Sequence, residues 1–224
     1  MSDPAPNAEL MGSLANLLRG LSALFWGLPI ALLSCAQPEV FTWFKPFGFL
    51  IPPAATGLLF YGTRQLSHFQ KQERLWLRSV DVTEALALIN LALSPFLYFW
   101  YQFPSNPFFG QSVGFMALTG LLFLLCLNNL LHRLAAMLPD EVLRHETRIF
   151  TAFNSGLLGI LLLLSFGLVA LYQIRFGPDS LFRLLDLNRP VLLILLVLLP
   201  LAMTMTLLWK AKETILASVF GAPK

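Results

Sequence analysis

The chain has 224 residues, 57% of them apolar and only 12% charged, with a mean hydropathy of +0.71. A soluble domain carries about a quarter charged residues, so these charges are too few to cover a water-exposed surface of this size. The composition points to a polytopic membrane protein, and a net charge of +3 gives no reason to expect a nucleic-acid partner.

Residues 1–13 lack periodicity and read as a flexible tail. Six hydrophobic stretches follow, at about 18–35, 47–64, 83–102, 111–132, 149–174 and 190–209. Each is near the roughly 20 residues a bilayer demands, and lipid favours helix because it offers no partner to an unpaired backbone group. "LLSC" at 32–35 faintly resembles a lipoprotein cleavage box, but Leu33 is a poor residue there, and the first stretch is expected to stay as an anchor. Pro52, Pro53, Pro95 and Pro200 lie in or beside these stretches, where proline kinks a helix if a neighbour satisfies the freed carbonyl. Cys35 and Cys126 are too few for a disulfide scaffold and are expected at different depths, unbonded. The expected fold is an all-α integral membrane bundle, six transmembrane helices as three hairpins in one domain over 14–220, with 221–224 a short tail.

Orientation follows from Lys and Arg. With six spans, one side holds Arg19, Arg64, Lys71, Arg74, Arg78, Arg133, Arg144, Arg148, Lys210, Lys212 and Lys224. The other side holds Lys45, Arg175, Arg183 and Arg189, so eleven of fifteen basic residues share the side of both termini, which predicts cytoplasmic termini. Trp43, Tyr98, Trp100, Tyr101 and Tyr172 fall near the outer ends of the stretches and Tyr61, Trp76 and Trp209 near the inner ends, where amphipathic rings settle at headgroup depth.

The connectors differ between the two sides. "FPSNPFFG" at 103–110 is outer, uncharged and Phe-rich, and "FGPDSLFRLLDLNRP" at 176–190 predicts an outer interfacial helix over 179–187. On the inner side, 64–80 places Leu66, Phe69, Trp76 and Val80 at near-helical spacing. It reads as an amphipathic continuation of the second helix, with Arg64, Lys71, Arg74 and Arg78 contacting anionic headgroups. Asp81 and Glu84 resemble a capping box that would restart the chain as the third helix.

"LPDEVLRHETR" at 138–148 is a charged elbow: Asp140, Glu141, Arg144, His145, Glu146 and Arg148, with His132 and Arg133 just upstream. Pro139 followed by two acids is a helix start, and Asp140 with Arg144 makes a favourable i,i+4 pair. Two histidines and a carboxylate can bind zinc, but H-E-x-x-H would need a histidine at 149, where isoleucine stands. The elbow is therefore read as a solvated face, with no metal and no cofactor expected.

A second polar group lies within the stretches: Asn90, Asn128, Asn129, Asn154, Ser155, Thr204 and Thr206, nearly all in the inner third. These side chains either tie helices together or line an inward-facing vestibule. The first reading is preferred, since a vestibule needs facing gaps. "GQSVG" at 110–114, "ALTG" at 117–120 and the Ala152/Gly156 and Ser155/Gly159 pairs are expected to give close helix contact.

No nucleotide loop, Gly-x-Ser-x-Gly, paired-carboxylate motif or H-E-x-x-H occurs. The preferred function is a non-enzymatic scaffold or subunit of a membrane assembly, with the lipid bilayer and a membrane protein as partners. The alternatives are a small transporter or channel using the polar layer, and a lipid-directed enzyme using the 132–148 cluster.

Overall fold

The computed structural model describes residues 6–36, 47–69, 73–137, 141–174 and 179–220, which are almost wholly helical and contain no strand. The elements are α1 (Pro6–Ala36), a 3-10 turn (Phe47–Leu50) leading into α2 (Ile51–Leu66), α3 (Arg74–Leu93), α4 (Pro95–Gln102), α5 (Pro107–Met137), α6 (Glu141–Ile174) and α7 (Asp179–Phe220). Among the described residues, four helical segments are long and apolar enough to cross a membrane: Met11–Cys35, Arg74–Gln102, Pro107–Met137 and Arg144–Gly167. The stretch at 47–64 falls in the 3-10 turn and the 16-residue α2, and the stretch at 190–209 falls inside the 42-residue α7.

Each helix packs on its neighbour in the chain, α3 packs on α5, α7 returns to α1, and α5 also touches α7. The core is built mainly of leucine: Leu17, Leu21 and Leu24 from α1, Leu127, Leu130, Leu131 and Leu134 from α5, and Leu208 with Ile215 from α7.

The third hydrophobic stretch is two helices that meet at Ser94. Pro95 has no N–H to give the Leu91 carbonyl, so the ladder must break there. The Ser94 hydroxyl donates to that carbonyl instead, at 2.7 Å, and Pro95 opens α4. The apolar run thus continues through a bend with the freed acceptor satisfied.

Helix boundaries depart from expectation at several places. Residues 6–13 form the opening of α1 rather than a tail. The segment 64–80 is not one continuous helix, because α2 closes at Ser67 and α3 begins at Arg74. Asp81 and Glu84 therefore lie inside α3 and cap nothing. Trp76 is fully buried, with Phe69 edge-on to it at 5.9 Å, so this ring serves the core rather than an interface. Val80, one turn further along α3, is buried as well. Residues 179–187 are the first turns of α7, not a separate helix. Cys35 and Cys126 are both free.

Close helix contact falls only partly where expected: a Cβ on Gly120 would meet Asn90 Oδ1 at 3.8 Å and one on Gly110 would meet Trp100 at 3.7 Å. Gly114, Gly156 and Gly159 have open space where a Cβ would stand. The tight seam lies between α1 and α2. A Cβ on Gly20 would come within 2.8 Å of the Gly62 carbonyl, and a Cβ on Gly62 within 2.8 Å of Leu24 and 3.0 Å of the Gly20 carbonyl. A Cβ on Gly27 would come within 2.8 Å of the tip of the Leu59 side chain, whereas at Gly20 and Gly62 main chain meets main chain. Backbone against backbone leaves no side chain to move aside, so the helices must separate to admit a methyl group.

Gly20→Ala and Gly62→Ala should each destabilise the protein in detergent by about 1–3 kcal/mol, the usual cost of overpacking. Gly156→Ala should cost nothing and gain up to about 1 kcal/mol of helix propensity. Thermal unfolding of the three variants checks this; equal effects at all three positions would show that the seam is not tight.

Candidate functional site

The polar residues of the helices fall into two groups. Three asparagines face neighbouring helices and are buried: Asn90 on α3, Asn128 on α5 and Asn154 on α6. Asn90 accepts at its Oδ1 from the Thr119 hydroxyl of α5 at 3.0 Å and donates through Nδ2 to its own Leu86 carbonyl at 2.8 Å. Asn128 donates to the Thr151 carbonyl of α6 at 3.3 Å, with the Ser155 hydroxyl at 3.4 Å. Asn154 donates to the Pro200 carbonyl of α7 at 3.3 Å and to the Thr204 hydroxyl at 3.1 Å. The carbonyls can only accept, which decides which end of the Asn128 and Asn154 amides points at them.

Asn129 and Thr206 do not join this group. Both are exposed, and Thr206 spends its hydroxyl on the Ala202 carbonyl of its own helix. Thr119 completes one contact with its hydroxyl, and Thr151 another with its main-chain carbonyl. Threonine in an apolar helix commonly bonds its own backbone, so type alone does not mark Thr119, and the Thr151 carbonyl is independent of its side chain. Among the described residues Asn128 Oδ1, Thr151 Oγ1 and Asn154 Oδ1 are buried without a hydrogen-bond partner, so these two amides are satisfied at their nitrogen only, whereas Asn90 is satisfied at both ends.

The second group sits where the start of α3, the end of α5, the start of α6 and the later part of α7 meet. Arg133 donates to the Leu75 carbonyl of α3 at 2.8 Å. Arg144 donates to the Ala136 carbonyl at 3.3 Å, placing a cation on the last turn of α5, where the helix dipole favours it. Lys210 of α7 pairs with Glu146 of α6 and lies over the Phe150 ring, 5.9 Å from its centre. That ion pair is more than a third exposed on both sides, and such pairs contribute about 0–1 kcal/mol.

Two clefts open at this end, and His132 lines both. The larger, about 630 Å³, lies between α3 and α5 and is lined by Leu75, Arg78, Ser79, Val82, Cys126, Asn129, His132 and Arg133. The smaller, about 490 Å³, lies between α5 and α6 and is lined by His132, Ala136, Glu141, Arg144, His145 and Arg148. The structure therefore brings together most of the charged elbow, with Glu146 turned to Lys210 instead. Asp140 and Lys71 lie outside the described residues. Arg64, Arg74 and Arg78 are exposed, and only Arg78 reaches a cleft. Among the described residues no three His, Cys, Asp or Glu side chains converge as metal ligands would. Chemically, this end offers guanidinium, imidazole and amide donors, a set suited to anions.

No family model, no curated protein and no solved structure matches this chain.

The asparagine contacts make a measurable claim. Asn154→Leu should lower the melting temperature in detergent, and its coupling to Thr204→Val should be about 0.6–1.7 kcal/mol, the range of interhelical hydrogen bonds in apolar surroundings. Asn90→Leu should cost at least as much as Asn128→Leu, since both ends of the Asn90 amide are engaged. Zero coupling at Asn154 with unchanged melting would instead assign these amides to solvent.

Proposed function

We propose that the chain is a multi-pass membrane protein that serves as a non-enzymatic scaffold or subunit of a larger membrane assembly. In this reading six helices cross as three hairpins, and both termini are cytoplasmic. The observation that carries it is the use of the buried asparagines: Asn90 accepts from Thr119 of α5, Asn128 donates to α6 and Asn154 donates to α7. Side chains engaged in holding helices at fixed spacing suit a rigid platform better than a solute path. The four long apolar helical segments support membrane residence. α7 supplies a fifth crossing, and the Phe47–Leu66 segment, 3-10 turn plus α2, supplies the sixth.

The sidedness rests on the basic residues. Arg64, Arg74, Arg78, Arg133, Arg144, Arg148, Lys210 and Lys212 cluster at the end where the termini of α2, α3, α5, α6 and α7 meet, and positive charge marks the cytoplasmic side. At the opposite end Phe99 stacks on Phe109, and Phe96, Phe103 and Phe108 pack edge-on or tilted around them, with Phe103 and Phe108 more than half exposed. Rings held in a fixed cluster at the bundle surface are the part we assign to a protein partner.

Two measurements test this. In a cysteine-free background, Ala15→Cys and Glu213→Cys should resist a membrane-impermeant thiol reagent in intact cells, while Ser105→Cys should react. Termini labelled on opposite sides would overturn the six-span arrangement. Extraction in mild detergent should yield a particle whose protein mass exceeds the 25.1 kDa of one chain. A lone chain that carries a solute across liposomes would replace the scaffold reading with a transporter.

A further inference from the structure

The larger cleft, between α3 and α5, has a volume of about 630 Å³ and a basic lining. Its walls are single helix faces. On α3, Leu75, Arg78, Ser79 and Val82 follow the i, i+3, i+4, i+7 spacing of one face, and on α5 Cys126, Asn129 and Arg133 do the same. The face is an outer one: Arg78, Val82 and Asn129 are exposed, while Leu127, Asn128 and Leu131 on the other side of α5 are buried. The cleft therefore opens to whatever surrounds the bundle, not to its interior. It carries two arginines and a histidine and no carboxylate among its lining residues. Cys126 and Val82 form its deeper part, about 10 Å further along the helices at 1.5 Å per residue from Arg133 to Cys126.

Asn129 supplies an independent reason for a ligand. It sits one turn inside the mouth, within an apolar segment long enough to span a membrane, and its amide is exposed on the outer face. Polar side chains on a lipid-facing surface are expensive unless paired. Arg133 already spends one donor on the Leu75 carbonyl, which holds its guanidinium across the mouth and fixes the spacing of α3 and α5 there. A guanidinium has five donors, so the anchored group can still bind an anion.

We propose that this cleft is a binding site for the headgroup phosphate of an anionic glycerophospholipid, held by Arg78, His132 and Arg133, with Asn129 donating to the glycerol ester region and the acyl chain running past Val82. His132 and Arg133 lie at the helix end, Arg78, Ser79 and Asn129 about one turn further in, and Val82 and Cys126 deeper still, so the groove runs from basic and polar to less polar as such a lipid does. Basic pockets between helices at the cytoplasmic face are a recurrent means of lipid recognition. The site rests on the membrane placement proposed above, but not on which protein the bundle assembles with.

The experiment is native mass spectrometry of the full chain in detergent, titrated with phosphatidylglycerol or with phosphatidylcholine of the same acyl chains. The wild type should favour phosphatidylglycerol about tenfold. Arg78→Gln should abolish about a tenfold share of that affinity, as expected for a charge-assisted hydrogen bond. Arg74→Gln removes the same charge one turn earlier on α3, outside the cleft, and should change affinity by less than about twofold, the effect of a screened surface charge. Asn129→Ala should weaken both lipids alike, because the ester region is common to them. Arg133→Gln also cuts the tie to Leu75, so its melting temperature is measured alongside, and Arg78→Gln and Asn129→Ala decide the matter if it unfolds. Equal loss in Arg78→Gln and Arg74→Gln, or equal affinity for the two lipids, would overturn the site. Displacement of phosphatidylglycerol by millimolar inorganic phosphate would overturn the lipid assignment in favour of a free anion.

Discussion

A primary amide sunk in an apolar helix must find a partner, and its own backbone has already paired most of its groups. That constraint links α3, α5, α6 and α7. Asn90 meets Thr119, Asn128 meets the Thr151 carbonyl, and Asn154 meets Pro200 and Thr204. Each contact is worth on the order of a kcal/mol, little against the burial of the leucine core. Its effect is on register: hydrogen bonds have direction, whereas leucine packs acceptably at several rotations of a helix. α1 and α2 obtain the same definition without polar groups, through Gly20 and Gly62.

The basic end is organised differently. There the long side chains reach helix termini and crossing points, and their partners are mostly carbonyls. Arg133 takes a carbonyl of α3 and Arg144 one of α5. Lys210 and Glu146 join α7 to α6 at the surface. These contacts leave grooves between helix ends rather than filling them, because arginine spans a gap with a thin chain. His132 stands between two such grooves, so both its surroundings and its neighbours' are rich in positive charge.

The chain's own order of residues determined a good deal. Long apolar runs can satisfy their backbone only as helix when water is excluded, and five of the six runs lie almost wholly inside helices, the other opening with a 3-10 turn. Ser94-Pro95 was legible as a bend, since proline's missing N–H is a local property. Asn90, Asn128 and Asn154 stood out as polar letters in apolar text, as did the charged elbow.

What only the tertiary structure decided is the direction in which each face points. Asn128 is buried and Asn129 exposed, although the two are adjacent and chemically identical. Gly62 is squeezed and Gly156 is free. Trp76, placed by its type at an interface, is fully buried in the core, edge-on to Phe69. The physical reason is common to all three. Length and hydropathy along one helix measure position along its axis, but rotation about that axis is set by contacts with other helices. In a chain this rich in leucine, apolar residues lie on every side and the sequence carries little record of that rotation.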